Sequence, residues 1–439
     1  LLRSRPLVRI QLGALLPPTP PTLELDALLG APLGVCTKGL PDDLAGVPLG
    51  RIGELGLSLW AGDLLLPALT LRADRLHHNL ARMMRFCDEH GVGLAPHGKT
   101  TMAPQLFADQ LEAGAWGITA ATVGQAQVMA RFGVQRILIA NEVLDRRAIR
   151  WMAESLARDS RLDLHCLVDS VAGVEALEAG FAGARAPRPI KVLVEIGIAD
   201  RRSGLRDTDP ALRVLEAAAG ARHVAPVGVE CFEGVVGADR EGVPAVEEAL
   251  ERVADLALRG ARRFDAERIL LSAGGSVFFD VAAKLAGVSG AVPIDVVLRS
   301  GCYLTHDDGM YEAASPLARS QDASDPLLPA LELWADVLSC PEPGRAIIGA
   351  GRRDAPYDAG LPAVLGAYRL GEPLALDAAI LTELNDQHGF VSLAPADALR
   401  PGDLLRLGIS HPCGAFDRWR TLLEVDPDYT VTRAIRTFF

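Results

Sequence analysis

The chain has 439 residues, of which 49% are hydrophobic and 23% are charged. This balance predicts a folded globular protein with material for one large and one smaller domain, and it excludes a disordered chain. The formal net charge of -12 argues against nucleic acid as a partner, because nucleic-acid binding depends on clustered Lys and Arg. We therefore expect a small-molecule partner.

Cysteine usage and the N-terminal segment indicate a cytoplasmic protein. The seven cysteines include no C-x-x-C pair, which is typical of reduced thiols. Residues 1–21 are apolar in patches, but arginines and prolines interrupt them. The segment therefore predicts neither a signal peptide nor a membrane helix, and we expect no membrane partner.

Short apolar runs alternate with longer amphipathic segments in the first two thirds of the chain. The runs predict strands at residues 91–96, 117–122, 136–141, 163–169, 191–197, 227–232, 269–274 and 295–299. Most intervening segments are long enough for a right-handed helical crossover between parallel strands. Eight such units favour a closed (β/α)8 barrel. An open doubly wound sheet is the competing interpretation, but no G-x-G-x-x-G follows the first strand.

A lysine directly follows the first predicted strand, in Pro96-His97-Gly98-Lys99-Thr100. Ligands of a parallel barrel gather at the carboxyl ends of its strands, where a lysine can form a Schiff base. A lone lysine after a strand is more often a solvated surface charge. The motif gains weight only together with the others.

Two turns at later strand ends are candidate phosphate sites. Gly274-Gly275-Ser276 follows the seventh predicted strand, and glycine amides at a helix start suit a phosphate dianion. Arg299-Ser300-Gly301-Cys302-Tyr303 follows the last strand and supplies a further backbone turn and a phenol. A Gly-Gly-Ser segment alone is more often simply a turn.

From about Pro316 onward, prolines, glycines and alternating runs such as Ala363-Val364-Leu365-Gly366-Ala367-Tyr368 predict antiparallel strands and a second, β-rich domain. Within that domain lies His411-Pro412-Cys413. An imidazole and a thiol two residues apart can share a soft metal ion, although two ligands do not complete a zinc shell.

The order of these motifs, together with Arg202-Ser203-Gly204, resembles the pyridoxal-phosphate enzymes of the D-serine dehydratase / D-threonine aldolase family. These enzymes have fold type III, which is the alanine racemase-like fold. Within the family, the sequence resembles the amino acid deaminase-like branch. The resemblance implies a TIM-like pyridoxal-phosphate barrel at residues 71–305. It also implies a β-rich domain formed by residues 1–70 and 306–439.

The resemblance also implies roles for individual residues. Lys99 resembles the lysine that binds the cofactor covalently, and His97 resembles its ring neighbour. Arg202 resembles an arginine that contacts the cofactor ring, although the ring atom it meets stays open. The implied phosphate-binding residues are Gly274, Gly275, Ser276, Gly301 and Tyr303, and the implied metal ligands are His411 and Cys413.

The function implied is that of a lyase dependent on pyridoxal 5'-phosphate and a divalent metal, with zinc as the expected ion. It would dehydrate D-3-hydroxy amino acids such as D-serine, D-threonine or 3-hydroxyaspartate to a 2-oxo acid and ammonia. The cysteine form of the metal motif, at Cys413, resembles the zinc-dependent D-serine dehydratases more than the aldolases. A cytoplasmic homodimer is the family expectation.

Three alternatives remain open. A D-threonine aldolase would release glycine and an aldehyde on the same scaffold. An amino acid racemase needs a second base, usually tyrosine, but the chain has only five tyrosines and carries a His-Pro-Cys that racemases lack. A non-catalytic pyridoxal-phosphate carrier is a single barrel, which would leave the C-terminal domain unexplained.

The chain also departs from the family pattern. Ala95 stands where relatives commonly have an arginine before Pro-His. The family's Tyr-Glu-Gly-His corresponds to Phe232-Glu233-Gly234-Val235 here. These changes remove polar or charged groups and bear on substrate preference.

Overall fold

The computed structural model describes residues 21–237, 240–319 and 324–439. The expectations for residues 1–20, including their place in the β-rich domain, lie outside the described residues. The chain divides into two compact units. The described part of the first comprises residues 21–23, Met83–Lys99 and Phe107–Gly301, and the second comprises Glu24–Arg82, Thr100–Leu106 and Cys302–Phe439. Among the described helices, none has the length and apolar character needed to cross a membrane.

The strands and helices follow in chain order. The strands are β1 (Ala68–Arg72), β2 (Gly93–Leu94), β3 (Ile118–Ala120), β4 (Arg136–Glu142), β5 (Asp163–Val168), β6 (Ile190–Ile196), β7 (Val224–Cys231), β8 (Ile269–Ala273), β9 (Ile294–Leu298), β10 (Leu331–Glu342), β11 (Arg345–Ile348), β12 (Ala363–Arg369), β13 (Glu372–Leu374), β14 (Ala379–Leu384), β15 (Gly389–Leu393), β16 (Leu404–Gly408), β17 (Thr421–Val425) and β18 (Val431–Arg436). The α-helices are α1 (Asp26–Leu29), α2 (Ala73–His90), α3 (Pro104–Glu112), α4 (Val123–Arg131), α5 (Arg146–Arg158), α6 (Val171–Gly183), α7 (Thr208–Gly220), α8 (Val243–Arg259), α9 (Phe279–Ala282), α10 (Met310–Ala314), α11 (Pro316–Arg319) and α12 (Pro412–Phe416).

The first unit contains an eight-stranded parallel sheet in the order β2-β9-β8-β7-β6-β5-β4-β3. Its two ends meet, because the Thr119 amide donates to the Pro96 carbonyl at 2.9 Å and the Gly98 amide donates to the Thr119 carbonyl at 2.8 Å. The sheet is therefore a closed barrel. The predicted (β/α)8 architecture is confirmed, and each of the eight predicted runs overlaps one barrel strand.

The barrel strands form because their side chains are apolar on both faces. Every residue of β7 and β8 is buried, as expected for a parallel sheet covered by helices. Each barrel strand, or a residue close to it, contributes one or two apolar residues to a buried cluster that includes Leu138, Leu167 and Leu193. Such packing makes a solid core and leaves the strand ends to carry polar groups.

The helices of the barrel start at defined caps. The side chains of Thr122, Asp145 and Ser170 each accept a hydrogen bond from the backbone amide three residues later, at the start of α4, α5 and α6. Capping of this kind typically stabilises a helix by about 1 kcal/mol. These caps fix the loops that follow β3, β4 and β5.

The second unit is built on a ten-stranded sheet. Its main path runs β13-β12-β16-β10-β1-β17-β18, and β11, β15 and β14 extend it from β10. Among the described strand pairings of this second sheet, only that of β1 with β17 is parallel, and the others are antiparallel. The predicted β-rich domain is confirmed, and the run at residues 363–368 lies in β12.

Candidate active site

Polar residues collect at the carboxyl ends of the barrel strands. This is the face where barrel enzymes place their chemistry, since the loops there vary without disturbing the core. The residues at or just beyond these ends are Lys99, Glu142, Asp169, Glu195, Glu230, Gly274 and Arg299.

His97 lies beside the lysine in an electropositive, desolvated environment. Burial, together with the charges of Lys99, Arg299 and Arg202, lowers the pKa of His97 well below its usual value. Its Nδ1 atom is buried and has no hydrogen-bond partner among the described residues. His97 is therefore a neutral imidazole, and it can face a planar group without adding charge.

Arg202 is held by an aromatic ring. Its guanidinium carbon lies 4.7 Å from the centroid of Phe232, a cation–π arrangement. Phe232 and Glu233 follow β7 directly. The sequence did not predict this contact, because it depends on how the loops after β6 and β7 fold.

A buried ion pair joins the ends of β7 and β9. The guanidinium of Arg299 pairs with the carboxylate of Glu230 and donates to the Cys231 carbonyl at 3.0 Å. Burial raises the pKa of Glu230 to about 7, although Arg299 opposes the rise. The sequence motifs place Arg299 only in a turn, and no motif points to Glu230.

The Gly274-Gly275 turn binds an anion in this structure. Both amides donate to the carboxylate of Glu233, the Gly274 amide at 3.2 Å. Gly274 has φ +88°, and a Cβ there would lie 2.6 Å from Leu298 Cδ2, so both backbone conformation and space require glycine. The two amides thus form an oxyanion cradle whose occupant here belongs to this chain, and their binding of a phosphate stays a prediction.

The two candidate phosphate turns of the barrel are linked. The Arg299 amide and the Ser300 hydroxyl both donate to the Gly274 carbonyl, at 3.1 and 3.0 Å. Gly301 is buried at the end of the first unit, and Ser276 is half-buried. Tyr303 belongs to the second unit, where it is 2% exposed within a short 3-10 helix, Cys302–Leu304.

In the second unit, His411 and Cys413 lie within a polar cluster, and they are its only members that the sequence predicted as metal ligands. His411 Nδ1 is 2.7 Å from Asp358 Oδ2. Cys413 Sγ lies 3.6 Å from Cys302 Sγ and 3.3 Å from Thr100 Oγ1. Asp358 and Cys302 were not predicted, because neither is near the motif in sequence.

This cluster favours the ionised thiol at Cys413. A hydrogen bond with Cys302 and the neighbouring His411 hold the pKa of Cys413 well below its usual range. The same thiol raises the pKa of His411 to about 9. The thiolate is the form of cysteine that binds metals. The contact with Asp358 orients the imidazole of His411.

The first unit is a barrel with a lysine and an anion cradle at its strand ends, and the second is a β-rich domain with a thiol–imidazole pair. These features define the class of pyridoxal-phosphate enzymes of fold type III. Residues 71–283 match the family described as "Alanine racemase, N-terminal domain", and residues 330–425 match that described as "Putative serine dehydratase domain". The chain thus carries both domains and is homologous to pyridoxal-phosphate-dependent lyases of the D-serine dehydratase / D-threonine aldolase type.

Two curated relatives show the spread of that family. A D-threonine aldolase of Arthrobacter is 29% identical over 350 residues, which cover 79% of this chain and 85% of the relative. D-threo-3-hydroxyaspartate dehydratase of Delftia is 35% identical over 147 residues, which cover 33% of this chain and 37% of the relative.

Solved structures agree on the fold. D-threonine aldolase from Filomicrobium marinum has a TM-score of 0.74 at 24% identity, covering 87% of this chain and 97% of that one. D-threo-3-hydroxyaspartate dehydratase from Delftia has a TM-score of 0.66 at 23% identity, covering 87% and 99%. At these identities the likeness shows the fold alone.

Proposed function

We propose that this protein is a pyridoxal-phosphate- and divalent-metal-dependent dehydratase of D-3-hydroxy amino acids, producing a 2-oxo acid and ammonia. The observation that carries the proposal is a cluster of candidate metal ligands, in which Cys413 Sγ lies 3.6 Å from Cys302 Sγ and His411 Nδ1 lies 2.7 Å from Asp358 Oδ2. Two solved variants of a D-threo-3-hydroxyaspartate dehydratase replace a histidine and a cysteine two positions apart, and the structure of the cysteine variant is of the metal-free form. The spacing matches His411 and Cys413.

The residues of the barrel fit the cofactor. The Gly274 and Gly275 amides already bind an oxyanion, and Ser276 and Gly301 are the proposed additional phosphate contacts of the barrel. Tyr303 of the second unit is a further proposed contact. His97 offers a neutral ring with an orphaned Nδ1 atom, and Lys99 offers an amine for covalent attachment. Arg202 is the proposed ring contact. When bound, pyridoxal phosphate supplies an electron sink for the charge left on the α-carbon.

The residues of the second unit fit a soft divalent ion, with zinc as the proposed metal. Thiolate and imidazole are ligands that zinc prefers, and the contact of Asp358 with Nδ1 would fix the orientation of the His411 imidazole. Such an ion supplies Lewis acidity toward a β-hydroxyl group.

The remaining chemistry falls to side chains of this chain. The amine of Lys99 is the proposed general base that takes the α-proton of the amino acid. A single base on one side of the substrate selects one hand, and family resemblance implies the D form. Arg299 and Glu230, which are both buried, form an ion pair that joins the ends of β9 and β7.

D-Threonine aldolase is the second candidate, favoured by the 79% of this chain that aligns with the Arthrobacter enzyme. Racemase and non-catalytic carrier rank lower. The alanine racemase structures are 11–15% identical to this chain and therefore support the fold alone. A homodimer remains a proposal, which light scattering of the purified protein tests.

The products formed from D-serine distinguish the dehydratase from the aldolase. We expect pyruvate and ammonia from the cofactor-loaded protein with zinc, loss of both after chelation, and recovery on adding zinc back. Glycine and formaldehyde would indicate aldol cleavage instead. Turnover that resists chelation would remove the metal from the proposal.

A further inference from the structure

Three carboxylates converge at the carboxyl ends of three consecutive barrel strands. Glu142 is the last residue of β4, Asp169 directly follows β5, and Glu195 is the penultimate residue of β6. One oxygen from each carboxylate lies within 4.8 Å of the others. Because β4, β5 and β6 are neighbours in the parallel sheet, the barrel itself sets this proximity.

These carboxylates are poorly satisfied by the protein. Glu195 is 2% exposed, and Glu142 and Asp169 are half-buried. The Ser203 hydroxyl donates to Glu195 Oε1 and the Gly204 amide donates to Asp169 Oδ2, each at 3.2 Å. In contrast, Glu142 Oε1 and Glu195 Oε2 are buried and accept no hydrogen bond from any described residue.

A buried carboxylate oxygen without a donor is unfavourable, so the cluster calls for a positive partner. Burial, followed by the neighbouring Glu195, raises the pKa of Glu142 to about 8. The next acid along the sheet, Glu230, aligns with Glu195 in the strand register but is already paired with Arg299. The three outer carboxylates therefore form a set of their own.

We propose that Glu142, Asp169 and Glu195 bind a hard divalent cation such as Mg²⁺ or Mn²⁺. Carboxylate oxygens are the ligands these ions prefer, whereas thiolate and imidazole select softer metals. An octahedral ion with bonds of about 2.1 Å places its ligand oxygens about 3 to 4 Å apart, so three oxygens within 4.8 Å need only small side-chain adjustments. The site is independent of the proposed dehydratase function, since none of its ligands serves that reaction.

The test uses Mn²⁺ alone as the probe and the cofactor-loaded His411→Ala/Cys413→Ala protein, from which the thiol–imidazole ligands have been removed. We expect electron paramagnetic resonance and calorimetry to show one saturable Mn²⁺ site in this background. Adding Glu142→Gln or Asp169→Asn should weaken binding tenfold or more. Glu175→Gln, which removes an exposed carboxylate of α6, is the matched control and should leave the site unchanged.

Folding is checked separately. Ligand binding to the native state raises the unfolding temperature by mass action, so Mn²⁺ should raise it in the double variant but not after Asp169→Asn. If Glu142→Gln does not fold, Asp169→Asn at a half-buried position still tests the site. Absence of saturable Mn²⁺ binding in the double variant, or binding unaffected by both substitutions, would overturn the proposal and leave a proton shared between Glu142 and Glu195 as the explanation.

Discussion

The carboxylate of Glu233 binds the backbone amide of Gly275, and this contact places an anion of the chain in the cradle proposed for the cofactor phosphate. The two anions compete for the same amides. Replacing the carboxylate by an amide removes a charge-assisted hydrogen bond, which is stronger than a neutral one by about 1 kcal/mol.

We therefore expect Glu233→Gln to bind pyridoxal phosphate several-fold more tightly than the parent protein. Fluorescence titration of the cofactor-free protein measures the dissociation constant, with Glu175→Gln as the control for loss of one negative charge. Weaker cofactor binding by Glu233→Gln would instead mean that the carboxylate helps to hold the cofactor.

Lys99→Ala should remove the visible absorbance of covalently bound cofactor while the protein stays folded. The reason is that an amine at the end of β2 is the proposed point of attachment. Lys284→Ala is a suitable control, because Lys284 is an exposed helix-flanking lysine paired with Glu247 and contributes little to stability. A visible band that survives in Lys99→Ala would assign the attachment to another lysine.

Asp358→Asn should weaken metal binding without removing a metal ligand. The Asp358 carboxylate contacts Nδ1 of His411 at 2.7 Å, and partners of this kind typically contribute 10- to 100-fold in metal affinity. Competition with a chromogenic chelator measures the change. His411→Ala should abolish turnover but spare cofactor absorbance, so retained turnover in that variant contradicts the metal's proposed role.

His165 should make the barrel sensitive to mild acid. Burial lowers its pKa to about 4, whereas an unfolded histidine titrates near 6.5. Because the unfolded chain takes up this proton first, the stability that neutral His165 supports is complete above about pH 6.5 and declines as the pH falls toward 4. The loss over that window is about 3 kcal/mol.

Urea unfolding at several pH values between 7 and 4 checks this expectation. The His165→Gln variant should show a shallower fall of the unfolding free energy with acid than the parent, whereas substitution of the exposed His77 should not. Parallel curves for parent and His165→Gln would mean that other groups control acid stability.

Much of the barrel and part of its site could be predicted because the relevant information is local. Apolar runs such as residues 190–196 predict buried parallel strands, and the geometry of a barrel places the residues that follow these strands at one face. Lys99 and Gly274 were found in this way. Glu142, Asp169 and Glu195 also end predicted strands, so the same rule would have brought them together.

The site residues that the sequence did not predict make contacts with residues that are distant in the chain. Asp358 lies 53 residues before His411, and Cys302 lies 111 residues before Cys413. No periodicity or motif connects such positions, since the folded β-rich unit alone makes them neighbours. Glu233 was visible in a motif, but its binding to Gly274 depends on the loop after β7 and could not be read from spacing.

The products formed from D-threonine decide whether this protein eliminates a β-hydroxyl group from a D-amino acid. We expect 2-oxobutyrate and ammonia in equal amounts from protein loaded with pyridoxal phosphate and zinc, and neither product from Cys413→Ser. Glycine and acetaldehyde would contradict this expectation, and would show that the same lysine and metal ligands serve retro-aldol cleavage.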